Sequence, residues 1–174
     1  MRASSSWRKV LLTLHVGSSV GWLGAVIAFL AVSMIGMNST DSFIVRAAIV
    51  ALAWVGWYVI VPLAIGSTLT GVLLGLLTTW GLWRYYWVVV KTITTVIFLV
   101  LLLLHMQPIT AAANLAARSD AALTGRLEGV REQFVVHAGA AAVALLLLVA
   151  LSVFKPKGLT GYGRRRLERA ERRA

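Results

Sequence analysis

Four side chains in this sequence set a titratable nitrogen inside an apolar neighbourhood: His15, Lys91, His105 and His137. Placing such a group within a bilayer costs about 2.5–3.5 kcal/mol on insertion scales, so each needs a partner or a purpose. A neutral imidazole offers one ring nitrogen as a ligand to haem iron or to a borderline metal such as copper. Two histidines on facing helices of a bundle are one arrangement for axial ligation of haem b. The same residues also admit plainer roles. Lys91 can snorkel to the headgroups, and histidines can sit at an interface or hydrogen-bond between helices.

Helical phase sorts these residues into faces. At about 100° per residue, Lys91, Thr94, Thr95, Phe98, Leu102 and His105 fall along one line, with a polar group at each end. Gln133, His137, Ala140, Ala141 and Ala144 share a second face, whose small residues allow close helix approach or leave room for a flat ligand. His105 and His137 lie near corresponding ends of consecutive helices, which places them at similar depth. His15 shares a face with Ser18, Ser19 and Trp22, opposite Gly17, Gly21, Gly24 and Ala28. The glycine face is expected to be the close-packing one. The His15 face must then meet another helix or a cavity, because a polar edge turned to lipid would go unsatisfied. His15 lies about 12 Å along its helix from Trp7 at 1.5 Å per residue, near the depth of Thr94 and Thr95. It is the least easily dismissed of the three histidines. Ser67, Thr70, Gly71 and Thr78 form a small polar face that suits helix packing.

The elements that must position these groups follow from composition. The chain has 174 residues, of which 59% are hydrophobic and 13% charged, and it carries a net charge of +11. A soluble domain would be roughly a quarter charged. The absence of cysteine excludes disulfide frameworks, thiolate zinc sites, iron–sulfur clusters and covalent c-type haem. Charged residues divide the sequence into apolar runs longer than the ~20 residues a spanning helix needs. The spans read as 10–35, 43–79 with a kink at Pro62, 87–107 and 133–154, followed by a basic tail over 159–174. The first run is too long for a cleavable signal and reads as a retained helix. With four spans, thirteen of the seventeen basic residues fall on one side, which makes that side cytoplasmic and places both termini there. Trp80, Trp83, Tyr85, Tyr86 and Trp87 supply an interfacial belt before the third span. The expected fold is an all-α, antiparallel four-helix bundle in a membrane, with a tail that is frayed or weakly helical.

No span contains Asp or Glu, which argues against a proton-coupled transporter built on membrane carboxylates. No nucleotide loop, zinc-protease helix or nucleophile elbow is present. The tail cluster around Arg164–Arg166 suits stop-transfer and attraction to anionic lipid headgroups, with a partner docking there as the next reading. No folded module presents it to nucleic acid.

Several short motifs carry a family resemblance. Leu14-His15-Val16 followed by Gly21-Trp22-Leu23-Gly24 resembles the first helix of the copper-resistance D-type membrane domain and of a related group of uncharacterised bacterial four-helix membrane proteins. Pro62 before Thr70-Gly71, Trp87-x-x-x-Lys91 and Lys155-Pro156-Lys157-Gly158 continue the pattern, which covers about residues 8–160. The outline is also similar to the small membrane-embedded protoporphyrinogen oxidase that binds haem b. That resemblance implies a haem-ligating role for His15, matches Lys91 to the lysine opening the third helix, and sets His105 near a third-helix histidine. The fourth helix departs, reading Arg131-Glu132-Gln133-Phe134 where the oxidase has an Asn-Glu-x-Pro motif, so the likeness does not extend to porphyrinogen oxidation. No Met/His-rich tract supports a copper route, since Met34, Met37 and Met106 are scattered. The resulting expectation is a multi-pass protein of a bacterial cytoplasmic membrane. It binds haem b or a porphyrin through His15, with His105 and His137 as a second pair and Lys91 nearby. A small-solute or metal permease, and a non-catalytic subunit or scaffold acting in a homo-oligomer or with a membrane partner, are the alternatives.

Overall fold

The computed structural model describes residues 5–78, 81–118, 128–156 and 158–172. Arg2, Trp80, the stretch 119–127 before the fourth span, and Lys157 lie outside them. Four rods form the body: α1 (Ser5–Asn38), a composite of α2 (Ser42–Val55) and α3 (Val61–Leu77) joined by a π-helical turn (Gly56–Ile60), α4 (Tyr86–Ala116) and α5 (Glu128–Phe154). A short α6 (Gly161–Glu171) follows. Each of the four rods is long and apolar enough to cross a membrane.

Local chemistry explains the breaks. Asp41 caps α2 by accepting from the Phe43 N–H at 2.8 Å. Pro62 has no N–H for the Tyr58 carbonyl, and its ring crowds that carbonyl. The helix takes up the mismatch immediately upstream, where the Val61 N–H bonds to the Gly56 carbonyl five residues back, and then continues as α3. α4 runs through Pro108 to Ala116, carried by the alanines of a strongly helix-forming stretch.

Successive rods alternate in direction. The starts of α1 and α4 share one end of the bundle with the ends of α3 and α5; the opposite, far end holds the α1–α2 turn and the start of α5. At the far end the Arg131 guanidinium donates to the Met37 and Ser39 carbonyls at 2.5 and 3.0 Å, placing a cation on the C terminus of α1. α1 packs against the composite rod and against α5, and the composite rod packs against α4. α4 and α5, although neighbours in sequence, touch less than any other adjacent pair of rods. The core lies toward the far half, where Val45, Ile49, Leu52 and Met106 are fully buried and Phe29 meets Phe134 edge to face at 6.5 Å. The outward surfaces are as apolar as the core: Leu104, Leu147 and Phe154 are 64%, 65% and 83% exposed.

The packing face of α1 differs from expectation. Gly17 and Gly24 face open space, and of the glycine stripe only Gly21 meets a neighbour, Leu63. The buried stripe instead continues the His15 face through Trp22, Val26 and Phe29, because its polar groups find partners on α3 and its large apolar groups fill the core.

The tail is also more ordered than its composition suggests. Tyr85 and Leu159 form an antiparallel bridge, with the Tyr86 N–H donating to Gly158 O at 3.1 Å and the Thr160 N–H donating to Arg84 O at 3.0 Å. The Thr160 hydroxyl donates to the Trp83 carbonyl and accepts from the Gly163 N–H, capping α6. Gly163 rests directly on the Arg84 carbonyl, and a methyl group there would strike backbone. Gly163→Ala should therefore undock α6. Trypsin cleavage at Arg164–Arg166 of detergent-purified protein should accelerate roughly tenfold if about 1.4 kcal/mol of docking is lost. A cleavage rate equal to the wild type would rule this contact out as the anchor.

Candidate functional site

The weak α4–α5 contact leaves a seam, and two cavities open along it. The larger, of about 650 Å³, lies toward the far half and is walled by apolar side chains including Trp22, Phe29 and Phe98, with His105 and His137 as its imidazoles. The smaller, of about 400 Å³, lies at the end where α1 and α4 begin and includes His15 and Lys91. On α4 the line Lys91, Thr95, Phe98, Leu102 and His105 faces the seam throughout, whereas Thr94 lines neither cavity.

The His105 and His137 ring centroids are 4.2 Å apart, with the planes tilted by 40°. The His137 Nδ1 lies 2.6 Å from the Gln133 carbonyl, which can only accept. That fixes the proton on Nδ1 and leaves Nε2 as a lone-pair donor, the state a ligating histidine requires. The His105 Nε2 is buried without a hydrogen-bond partner. An orphaned polar atom in an apolar wall costs about 1–3 kcal/mol, and a binding partner offsets that cost. The two rings touch each other, so they stand side by side in one wall. No macrocycle fits between them in this arrangement.

His15 is placed differently. Its Nδ1 lies 3.1 Å from the Ser67 carbonyl and 3.1 Å from Thr70 Oγ1, while Ser19 and Ser67 share a hydrogen bond of 2.7 Å. The carbonyl again requires Nδ1–H. Gly71 packs against the ring, so that a Cβ there would lie 2.9 Å from Cε1. His15 thus joins α1 to α3 and stands apart from the His105–His137 pair. The polar face Ser67, Thr70 and Gly71 is its receptor.

Lys91 donates from Nζ to Ser152 Oγ at 2.6 Å, and Ser152 donates onward to the Leu148 carbonyl at 2.8 Å. This bond spans the seam from α4 to α5. Two features of the site were not singled out from sequence. Ser152 is the only hydroxyl in the apolar run before Phe154, and depth matching against Lys91 across antiparallel helices would have found it. Gly56, in the π turn, lines the larger cavity and makes room for Met106.

Among the described residues no three His, Asp or Glu side chains converge as a metal-ion site. The seam supplies two imidazoles and an apolar wall. That donor set suits a centre that brings most of its own ligands, as a metalloporphyrin does, better than a bare ion that needs four or more from protein. Comparison with known proteins adds no relative: no family model, curated protein or solved structure matches the chain.

Proposed function

We propose that this chain is a multi-pass protein of a bacterial cytoplasmic membrane, with both termini on the cytoplasmic side, that binds haem b in the α4–α5 seam. The observation that carries the haem reading is the unpartnered His105 Nε2 at the wall of a 650 Å³ apolar cavity. His105 would hold the haem iron through Nε2. His137, held by Gln133 with its own Nε2 available, would join it as a ligand only by swinging away from His105. The alanines of α5 let a flat ring lie close to the backbone. Bound haem b supplies one-electron redox chemistry; the protein contributes the ligand, a dry surround and orientation. Membrane residence is supported by the four long apolar rods and their apolar outer surfaces. The skew of basic residues to one end supports the orientation, and the resemblance to bacterial four-helix membrane proteins supports the compartment.

The test is an absorbance spectrum with metal analysis on protein purified in detergent from haem-replete cells. A Soret band with stoichiometric iron is expected. A colourless, iron-free preparation would overturn the haem reading while leaving the membrane one intact.

A second reading has one observation in its favour. The two cavities share the seam and are separated by a single turn of α4, between Thr95 and Phe98. Opening of that turn would give a small-solute path, and solute flux in reconstituted vesicles that is lost in Phe98→Trp would favour it.

A further inference from the structure

The smaller cavity has a chemistry that the haem reading does not use. Its roughly 400 Å³ is bordered by four cationic side chains from two helices and the end of a third: Arg8 and Lys9 on α1, Lys91 on α4 and Lys155 just past α5. Between them stand hydroxyls, among them Ser67, Thr92 and Ser152. No carboxylate lines it. Lys91 is half-buried there while Arg8, Lys9 and Lys155 stand exposed at the mouth, and cations gathered around one cavity favour an anion between them. Lys91, the most interior of the four, donates to the neutral Ser152 hydroxyl.

The backbone adds a second observation. Lys155 is the only non-glycine residue with positive φ among the described residues, at 43°. That left-handed position follows a helix end and is usually given to glycine, because a Cβ there crowds the following carbonyl oxygen. Strain of this kind persists where it places a group for use. Here it sets an ammonium at the rim of the basic cavity. Trp87, of the aromatic stretch expected at a bilayer interface, lines the same cavity and fixes its level.

We propose that this cavity is a phosphate-binding site, with Lys91 and Ser152 at its floor and Arg8, Lys9 and Lys155 at its rim. The ligand is a phosphate ester, either the headgroup of an anionic phospholipid or a free phosphate. The site is separate from the His105–His137 cavity, so it does not depend on haem.

Full-length protein in neutral detergent is titrated with phosphatidylglycerol, with phosphatidylcholine and with inorganic phosphate, and bound ligand is counted by native mass spectrometry. One phosphatidylglycerol per chain, retained over phosphatidylcholine by tenfold or more, identifies the lipid headgroup. Saturable binding of inorganic phosphate that competes with the lipid identifies the free anion. Either result should weaken at least tenfold in Lys91→Gln. Because Lys91→Gln can disturb the seam, Lys155→Gly is the decisive variant. It removes the ammonium while easing the positive φ, so phosphate-ligand affinity should fall several-fold in protein that stays folded and monodisperse in the same detergent. Binding of neither phosphatidylglycerol nor phosphate would overturn the proposal. So would full binding in both variants, or binding lost instead when Arg164, Arg165 and Arg166 are all changed to Gln.

Discussion

His105→Ala should lower haem affinity at least ~10-fold in detergent-purified protein, the lower bound that even outer-sphere changes exact from metal sites. The Soret band of protein isolated from cells should fall accordingly. The argument rests on the His105 Nε2, which is buried in the cavity wall and makes no hydrogen bond. Its removal also takes away a desolvation cost of about 1–3 kcal/mol, which offsets the packing lost with the ring. The ligand-free variant should therefore fold as well as the wild type, and loss of colour would report binding and not collapse. His137→Ala should retain haem with a smaller loss, because His137 lies beside His105 and not across from it. His15→Ala should leave the Soret intensity within about twofold, since His15 joins α1 to α3 outside this cavity. A reversed order, with His15→Ala colourless and His105→Ala coloured, would move the site to the other cavity.

Gly56→Val should destabilise the bundle by about 1–3 kcal/mol, the usual cost of overpacking. In a chain of this size that lowers Tm by roughly 2–4 °C per kcal/mol. A Cβ at Gly56 would lie 2.6 Å from the Met106 Cε and 2.7 Å from its Sδ. Met106 is flexible but only 1% exposed, so its terminus has little space to retreat into. The carbonyl of Gly56 also accepts the five-residue hydrogen bond of the π turn, and β-branching disfavours helical backbone there. The paired variant Gly56→Ala with Met106→Ala should recover much of the overpacking loss while enlarging the cavity. A Tm for Gly56→Val equal to the wild type, measured in the same detergent, would show that the turn tolerates the added volume.

What could be read from the sequence and what could not divide along physical lines. The four rods are legible because charge is so scarce that each charged cluster marks a helix end, as Arg84 and Lys155 do. The nearness of His105 and His137 follows from their matching depth on consecutive helices. The π turn leaves no trace in a 3.6-residue pattern, and Pro62 signals a disturbance without specifying that the ladder lengthens upstream of it. The face of α1 that packs was misjudged because small residues permit close approach without requiring it. Gly17 and Gly24 had no partner of fitting shape, whereas His15 and Ser19 had hydrogen-bonding partners on α3. The docking of residues 158–163 was invisible because it runs through main-chain atoms, the Tyr85–Leu159 bridge and the bare Cα of Gly163, which side-chain types do not encode.

The loose contact between α4 and α5 has a consequence for the order in which the protein is built. The last long helix is held chiefly by the first, through contacts such as Phe29 with Phe134 and Arg131 with the end of α1. The bundle therefore becomes complete only when synthesis has carried the chain through α5 and that helix returns to α1. Closure of the ring of helices does not use up the seam. On the proposed function, a flat ligand would enter between α4 and α5 after assembly, without the first and last helices having to part.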